Sequence, residues 1–491
     1  MPARSVTRRR GEGPYRPAPA DSAVLRSPSV HQRATARWAP LRSVDRGGSC
    51  RTPLGDDDEP TITSGGTMRA TRHPTTPTVP GTAAPTRRDV IIRPAPLAMV
   101  WQGPGAAHAT IAVPGVSLGE GDVLVAVELA TICPSDAAAV LTGVGVTAPL
   151  VLGHEQVGRI VAVGLDATTS DGTRLVVGMR VVWSRRIGCG ECASCSRGAT
   201  SDCRNAREYG VDRLRRGWEL SGGFASHVLV RAGTTILTVP EVVPAAVLAP
   251  LSCATALAAA AVEHIGSVVE VDGQTVIVAG ADLVGLTVAA MLADEGAHAV
   301  VVEPDATRRS RALDFGAHGV AAGPSEVERL LRAGRASVAS GHGTASPLAR
   351  PIAVVGSGTP GGSLVDAVWV ADTSAPDREQ GDESAPESMV DVRAVVNLRE
   401  VPDPASGRKR DASRDEGAIS PSWPIDAQVV TLQRTDPRHL VAAVDFASNA
   451  WFRYPFADLV SDRYPLERLD DALSDALSGS ALRIGIEPGG L

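Results

Sequence analysis

Apolar residues recur with two different periods along the chain, and these periods predict strands in one part and alternating strands and helices in another. Short β-branched runs at 123–129 and 160–163, bounded by Gly, Pro and Asp, are typical of β-strands. The strand-like runs 276–279 and 299–303 enclose an apolar helical segment at 283–294, which predicts a β-α-β unit. We therefore expect a β-rich part followed by an α/β part.

The C-terminal third continues this alternation but contains two interruptions. Charged stretches rich in Pro and Ser, at about 372–389 and 399–420, are interpreted as surface insertions. Around them the pattern predicts two further strands and two helices, at 390–398, 429–432, 439–447 and 466–477.

Residues 1–88 show neither apolar period and are rich in Arg, Pro, Thr, Ser and Gly. They hold 15 Arg against 7 acidic residues, a net charge of +8, whereas the rest of the chain holds 33 basic and 48 acidic residues. Such a segment buries too little apolar surface to offset its chain entropy, so we predict a disordered extension. The alternatives are a basic arm that touches nucleic acid or membrane, and a translation start placed too early, since Met68 and Met99 follow.

The composition narrows the class of protein. A length of 491 residues predicts two or three domains. No uninterrupted apolar run reaches 18 residues, and no apolar segment follows Arg8, Arg9 and Arg10, so neither a membrane span nor a secretory signal is expected. The acidic body argues against nucleic acid as a partner. We expect a cytoplasmic protein that uses a cofactor and binds neither nucleic acid nor membrane.

Four of the seven cysteines crowd into one short segment, at positions Cys189, Cys192, Cys195 and Cys203. Thiolates at this spacing on a glycine-containing loop can converge on one point, and four of them close a tetrahedron around zinc. The segment therefore predicts a closed, structural zinc site. The alternative, four unrelated buried thiols, requires chance clustering in a chain poor in cysteine.

The spacing of these cysteines resembles the structural-zinc lobe of the zinc-dependent medium-chain alcohol dehydrogenases. Three other segments occur in that family's order: Thr-Ile-Cys-Pro-Ser-Asp at 131–136, Gly-His-Glu followed by Val-Gly at 153–158, and Ala-Pro-Leu-Ser-Cys-Ala at 249–254. Segments within 437–461 resemble the branch of the family that is found with phosphonate-catabolism genes. The resemblance covers roughly 95–370 and 429–491.

The resemblance implies a second, catalytic zinc held by Cys133, His154 and Cys253, with Glu155 as an additional or exchangeable ligand. Taken singly, Cys253 could equally be a small buried hydrophobe and His154 a core histidine. Asp136 matches the carboxylate that orients the liganding histidine, which fixes its tautomer. A zinc with three protein ligands keeps one position open for substrate.

Two further residues near this site follow from the same resemblance. Ser135 matches the hydroxyl that passes the alcohol proton outward, after zinc has lowered the pKa of the alcohol. Many members continue this relay with a histidine five residues after the first cysteine, and here that position is Ala138. We therefore expect the proton to leave by another route, such as a ribose hydroxyl and water.

A glycine-containing turn between the predicted strand 276–279 and the following helix has the context of a dinucleotide fingerprint. The residues expected to contact the cofactor there are Gly280, Asp282, Leu283, Val284 and Gly285. Asp282 replaces the glycine at which backbone normally approaches the pyrophosphate, so its carboxylate could repel the phosphates and weaken binding. It could instead turn outward and cap the helix, and the sequence leaves both possibilities open.

Cofactor choice is predicted from the end of the next strand. Glu303 is placed to accept hydrogen bonds from the ribose hydroxyls and to repel a 2′-phosphate, which favours NAD over NADP. Arg308 and Arg309 lie close enough along the chain to soften that preference, and Arg308 is included among the predicted cofactor contacts.

Together these patterns predict an α/β fold with a GroES-like β-rich catalytic domain over 89–255, completed by 436–491, and a Rossmann domain with a doubly wound parallel sheet over 256–435. The expected function is a zinc-dependent oxidoreductase, with two zinc ions per chain, that transfers hydride from an alcohol to NAD. The resemblance implies a phosphonate-bearing alcohol such as 2-hydroxyethylphosphonate, and a homodimer or homotetramer. The alternatives are a polyol or amino-alcohol dehydrogenase and a non-catalytic zinc-stabilised descendant.

Overall fold

The structure is a computed structural model that describes residues 87–323, 325–327, 329–330, 351–356, 394–398, 428–432, 434–479 and 481–489. Its strands are β1 Arg88–Ile91, β2 Leu97–Trp101, β3 Ala109–Ala112, β4 Gly115–Leu118, β5 Val123–Thr131, β6 Leu150–Val151, β7 Glu155–Val163, β8 Arg180–Trp183, β9 Arg186–Ile187, β10 Arg207–Glu208, β11 His227–Val230, β12 Ile236–Thr238, β13 Thr275–Ala279, β14 His298–Val302, β15 Gly319–Ala321, β16 Pro351–Gly356, β17 Ala394–Leu398, β18 Gln428–Leu432, β19 Val460–Pro465 and β20 Arg483–Glu487. Its α-helices are α1 Pro134–Thr142, α2 Ala193–Ser196, α3 Ala245–Leu248, α4 Ala254–Val268, α5 Leu283–Asp294, α6 Ala306–Asp314, α7 Pro437–Ala450 and α8 Leu469–Leu477.

Parts of the sequence prediction fall on segments that the structure leaves out. The predicted extension 1–88, apart from its last two residues, lies outside the described residues, as do the predicted insertions 372–389 and 399–420. Arg88 already belongs to β1, where it pairs with Leu118 of β4. The regular structure therefore begins slightly before the predicted boundary.

A mostly antiparallel sheet of seven strands forms the first half of the described fold. Its strands follow the order β12-β8-β7-β5-β20-β19, and β11 also pairs with β5. The strands predicted at 123–129 and 160–163 are both present, as β5 and β7, and both are longer than predicted. The added ends carry buried polar residues, including Thr131, Glu155 and Gln156, which an apolar pattern does not mark.

A parallel sheet of six strands forms the second half. Its order is β15-β14-β13-β16-β17-β18, which is the order 3-2-1-4-5-6 of a doubly wound dinucleotide-binding sheet. The predicted β-α-β unit is found as β13, α5 and β14, and α5 has the predicted bounds. The predicted fold class is thus confirmed for the described residues.

Helix α4 lies at the junction of the two halves and packs against both α5 and α7. Buried residues of α7, among them Leu440 and Ala443, share the apolar core of the parallel sheet. Residues 436–491 are predicted to complete the β-rich domain, and within this range the chain rejoins the first sheet at β19.

Among the described residues, no helix is by itself both long enough and apolar enough to cross a membrane. One bent pair, Ala245–Ser252 with Ala254–Val268, meets the length and composition criteria only when its two parts are combined across a 62° bend. The residues of this pair are mostly buried in the protein core.

A buried ion pair ties the C-terminal strand into the first sheet. The guanidinium of Arg483, on β20, donates to both carboxylate oxygens of Glu155, on β7, over distances of 3.0 and 3.2 Å. The hydroxyl of Thr131, on the intervening strand β5, donates to the same carboxylate at 2.7 Å. Both charged side chains are essentially inaccessible to solvent, so each depends on the other for compensation.

We expect Arg483→Met to lower the free energy of unfolding by about 3–5 kcal/mol, because it leaves the buried Glu155 carboxylate without its cation. The matched double variant Glu155→Gln with Arg483→Met should recover part of that loss, since no charge then remains buried. Denaturant unfolding of the three proteins measures the difference. A single variant within 1 kcal/mol of the parent would show that the pair contributes little.

Candidate active site and metal centres

Three potential metal ligands converge in the interior of the first half. The sulfur atoms of Cys133 and Cys253 and a ring nitrogen of His154 all lie within 4.8 Å of one another, and all three residues are buried. Tetrahedral zinc with Zn–S bonds of about 2.3 Å places its ligand atoms about 3.8 Å apart, so the three atoms fit such an ion. Within the described residues, the structure therefore brings together the ligand set that the resemblance implied.

Each ligand lies at the end of an element. Cys133 follows β5 and caps the start of α1, His154 immediately precedes β7, and Cys253 lies directly before α4. The Ser252 hydroxyl donates to the carbonyl oxygen of His154 over 2.8 Å, which holds the segment carrying Cys253 against the segment carrying His154.

Asp136 joins the other two ligand segments. One carboxylate oxygen accepts the N–H of Cys133 at 3.1 Å, and the other accepts the N–H of Gly153 at 3.3 Å. The same second oxygen lies 3.3 Å from Nδ1 of His154. Asp136 therefore occupies the predicted orienting position, because it leaves the opposite ring nitrogen, Nε2, to face the ligand cluster.

Electrostatics around His154 reflect these neighbours. Burial alone lowers the pKa of His154, but the carboxylate of Asp136 and the thiol of Cys133 oppose that effect and raise the pKa to about 10, against the contribution of Arg185. These neighbouring charges favour the protonated form of His154, whereas a metal binds the neutral imidazole, so metal affinity in this site should rise with pH.

The predicted proton-transfer residue lies at the edge of the cluster. The Ser135 hydroxyl is 3.2 Å from Sγ of Cys133 and 3.4 Å from Nε2 of His154, and the side chain is partly exposed. Ala138 lies one turn farther along α1 and offers no side-chain donor. Ser135 can thus hand a proton to solvent or to a bound cofactor, but not to a side chain at position 138.

Glu155 is predicted as an additional or exchangeable ligand, and its carboxylate is directed at Arg483 and Thr131, as described above. It is not among the converging ligand atoms of the described residues. An exchange from Arg483 to a metal would leave the buried guanidinium without its anion.

The four clustered cysteines form the second candidate metal site. The sulfur atoms of Cys189, Cys192, Cys195 and Cys203 lie within 4.8 Å of one another, and those of Cys189 and Cys195 are 4.0 Å apart. Cys192 caps the short helix α2, where the N–H of Cys195 lowers the pKa of the Cys192 thiol, while the thiols around Cys195 raise the pKa of Cys195. Four thiol ligands leave no open position, which fits a structural site.

The turn between β13 and α5 shows one of the two interactions considered for Asp282. Its carboxylate accepts the N–H of Gly285 at 2.8 Å and so caps the first turn of α5. Leu283 and Val284 are buried beneath this turn, and Gly280 has a positive φ of 108°. The cap places the carboxylate at the helix N-terminus, where phosphates also bind, so its effect on cofactor affinity is tested by the Asp282 variants below.

Glu303 lies beside the same turn but is already engaged. Its two carboxylate oxygens accept the N–H of Ala281 at 2.9 Å and the N–H of Asp305 at 3.0 Å. Because each carboxylate oxygen can accept more than one hydrogen bond, ribose hydroxyls could still bind there. Arg308, also predicted to contact cofactor, donates instead to the carbonyl oxygen of Gly479 at 2.6 Å.

Sequence reasoning missed three residues that the structure places at the site: Arg185, Ser252 and Arg483. Arg483 carried a weak signal, because it is a charged residue directly before the apolar run 484–486 of the same strand and so indicates a buried partner. Ser252 and Arg185 carried none, since a serine before a cysteine and an arginine near Arg186 are ordinary surface patterns.

We expect Cys195→Ser to reduce the zinc content from two ions to one per chain and to lower the thermal midpoint of unfolding by several degrees. Metal binding in a closed site contributes directly to folding, and each kcal/mol of lost stability lowers the midpoint by about 2–4 °C. The matched control is Ser194→Ala, which alters the same helix without removing a ligand. Metal analysis and thermal unfolding supply the readouts. Unchanged stability with loss of turnover alone would contradict a structural role.

We expect Asp282→Ala to lower the free energy of unfolding by about 1 kcal/mol, because the first turn of α5 loses its cap. Asp282→Asn keeps the cap and removes the charge, so it should retain stability and change the affinity for a nicotinamide dinucleotide less than about threefold. Calorimetric titration measures that affinity. A tenfold gain in the Asn variant would instead support repulsion between Asp282 and the phosphates.

Comparison with known proteins agrees with this geometry. Residues 119–241 match the model of the alcohol dehydrogenase GroES-like domain. An L-threonine 3-dehydrogenase of Edwardsiella ictaluri is 31% identical over 197 residues, which are 39% of this chain and 52% of the relative. A D-altritol 5-dehydrogenase of Agrobacterium fabrum is 31% identical over 222 residues, which are 44% of this chain and 61% of the relative. The chain thus spans about half the length of the curated relatives it matches.

A solved structure extends the likeness to both halves of the fold. The alcohol dehydrogenase of Thermotoga maritima superposes with a TM-score of 0.63 and 22% identity, over 80% of this chain and 99% of that chain. At this identity the superposition shows the fold alone, whereas the GroES-like match covers His154 and all four clustered cysteines. Taken with the two ligand clusters, these likenesses show that residues 119–241 match the alcohol dehydrogenase GroES-like domain and that the described fold resembles that of a solved alcohol dehydrogenase.

Proposed function

We propose that this protein is a zinc-dependent dehydrogenase that transfers hydride from an alcohol to a nicotinamide dinucleotide. The observation that carries the proposal is the convergence of Cys133, His154 and Cys253 next to the hydroxyl of Ser135. Three protein ligands are the number that leaves a catalytic zinc one open position. No further ligand from the described residues joins this group.

The chemistry divides between the metal and the chain. Zinc, when bound by these ligands, supplies a Lewis acid that lowers the pKa of the substrate hydroxyl. Ser135 is placed to accept the proton that leaves this hydroxyl and to pass it to water or to a cofactor hydroxyl. A nicotinamide dinucleotide, when bound, would supply the acceptor for the hydride of the adjoining carbon. The products are a carbonyl compound, the reduced cofactor and one proton. Asp136 holds the imidazole of His154 in one orientation throughout.

The cofactor is assigned to the parallel sheet. Dinucleotides bind outside the carboxyl ends of the strands in sheets of this order, at the turn that contains Gly280 and Gly285. The carboxylate of Glu303 lies beside this turn, and its negative charge would oppose a 2′-phosphate, so we propose NAD in preference to NADP. Arg308 does not offset that charge, because its guanidinium is directed at Gly479.

The substrate is proposed from two independent likenesses. The C-terminal resemblance at 437–461 favours a phosphonate-bearing alcohol such as 2-hydroxyethylphosphonate. The relatives named for threonine and altritol favour an amino alcohol or a polyol as the second candidate. Turnover of matched alcohols by the zinc-loaded protein separates the two classes.

A non-catalytic descendant remains the rival from outside the enzymes, and the observation that favours it is Ala138, which removes the usual relay histidine. Metal content discriminates between the two. A catalytic protein should hold two zinc ions per chain, whereas a zinc-stabilised scaffold needs only the ion bound by the four clustered cysteines.

We expect His154→Ala to abolish NAD reduction, by at least about a thousandfold in kcat, because a centre with two remaining ligands no longer activates the substrate hydroxyl. NAD affinity should stay within about threefold of the parent, since the cofactor binds at the other sheet. Steady-state assays measure kcat, and calorimetric titration measures NAD affinity. The control is His108→Ala, which alters a histidine paired with Asp470 away from the site. Activity that survives in His154→Ala would place the reacting centre elsewhere.

A further inference from the structure

Arg185 is a cation directed at the catalytic cluster, and neither the family likeness nor the proposed mechanism gives it a role. It lies between β8 and β9, where its carbonyl oxygen accepts the N–H of Tyr209 at 2.9 Å, so its backbone is fixed. One guanidinium nitrogen donates to the sulfur of Cys253 at 3.4 Å. Because zinc bonds to thiolate at about 2.3 Å, this nitrogen lies within about 6 Å of any zinc held there.

The charge of Arg185 is only partly compensated by the protein. Its carboxylate neighbour is Glu208, at 3.7 Å, but Glu208 makes a shorter contact of 2.8 Å with Arg186. One carboxylate therefore serves two guanidinium groups. Two cysteine thiolates neutralise a zinc ion between them, so the negative charge that remains at the loaded centre is that of Asp136, which is already engaged by His154 and by two backbone N–H groups.

The surroundings also leave Arg185 able to bind a ligand. A guanidinium carries five N–H donors in a planar fork, and the contacts described above occupy a minority of them. The side chain is 20% exposed, so most of it is withdrawn from water while part remains open. A largely buried cation with donors to spare is unfavourable on its own and is stabilised when an anion completes its coordination.

We infer that Arg185 determines substrate specificity by binding an acidic group of the substrate, so that the preferred substrate is a small alcohol with a phosphonate or carboxylate a few bonds from its hydroxyl. This inference rests on the proposed function, because it supposes that the hydroxyl is held between Ser135 and the ligand cluster. The acidic group then lies on the Cys253 side of the cluster, where the fork of Arg185 can bind two of its oxygens.

The test compares acidic and neutral alcohols of similar size in the zinc-loaded protein with NAD. The substrates are 2-hydroxyethylphosphonate, 3-hydroxypropionate and 1-propanol. The proteins are the parent, Arg185→Met, Arg185→Lys and the control Arg463→Met. The control alters a half-exposed arginine on edge strand β19. We expect Arg185→Met to lower kcat/KM for the preferred acidic alcohol by about ten- to a hundredfold, mainly through KM, and for 1-propanol by less than threefold. Arg185→Lys should fall between, because it keeps the charge but loses the fork.

Several results would overturn the inference. Equal losses on acidic and neutral alcohols in Arg185→Met would mean that Arg185 acts on the metal ligands and not on the substrate. A parent enzyme that prefers 1-propanol would exclude recognition of an acid altogether. The phosphonate and carboxylate arms show which acid the fork accepts, and a preference for either one supports the inference.

A binding measurement separates this inference from the proposed function. Calorimetric titration of zinc-loaded, NAD-free protein with 2-hydroxyethylphosphonate and 3-hydroxypropionate requires no turnover. If no alcohol is oxidised by any of the proteins but an acid binds the parent and not Arg185→Met, the dehydrogenase proposal fails while the assignment of Arg185 holds. If alcohols are oxidised but neither acid binds more tightly to the parent than to Arg185→Met, the assignment of Arg185 fails alone.

Discussion

A single buried carboxylate sets the geometry on which the catalytic cluster depends. Asp136 accepts the N–H of Cys133 and the N–H of Gly153 and also faces the imidazole of His154. These contacts hold the end of β5 and the start of β7 at a fixed separation, and two of the three ligands belong to those segments. Gly153 is required for this arrangement, because a Cβ at that position would come within 2.8 Å of the backbone nitrogen of Phe224. Loss of Asp136 would therefore disturb two ligands at once.

One short segment connects the four clustered cysteines to the cluster of Cys133, His154 and Cys253. The four clustered cysteines fold residues 189–203 into a compact loop, and Arg186 donates to the carbonyl oxygen of Cys203 at 3.1 Å. Arg186 also pairs with Glu208, which is the carboxylate nearest to Arg185. The structural cluster thereby fixes the backbone from which Arg185 reaches Cys253. A metal held by the four clustered cysteines would support the cluster of Cys133, His154 and Cys253 through these contacts, without contributing a ligand to it.

The sequence predicted most clearly those features that depend on local spacing. The β-α-β unit and the four clustered cysteines carry patterns that are legible within a few residues, whereas the ligands Cys133 and His154 were implied by the family resemblance of their segments. Contacts between distant segments could not be predicted in this way. Glu155 and Arg483 are separated by 328 positions, and their ion pair follows only from the sheet that brings them together. Asp282 illustrates a third case, because a carboxylate before a helix can cap it or face a ligand, and only the direction of its side chain distinguishes the two.

The position of Cys253 has a consequence for the coupling between the two halves of the protein. This ligand directly precedes α4, whose buried face belongs to the core of the parallel sheet, whereas Cys133 and His154 belong to the antiparallel sheet. Any ion that binds all three ligands therefore links the antiparallel sheet to the start of α4, which also packs against α5 and α7. By thermodynamic linkage, whatever changes the position of α4 relative to Cys133 and His154 must change the affinity for that ion, and the reverse holds to the same degree.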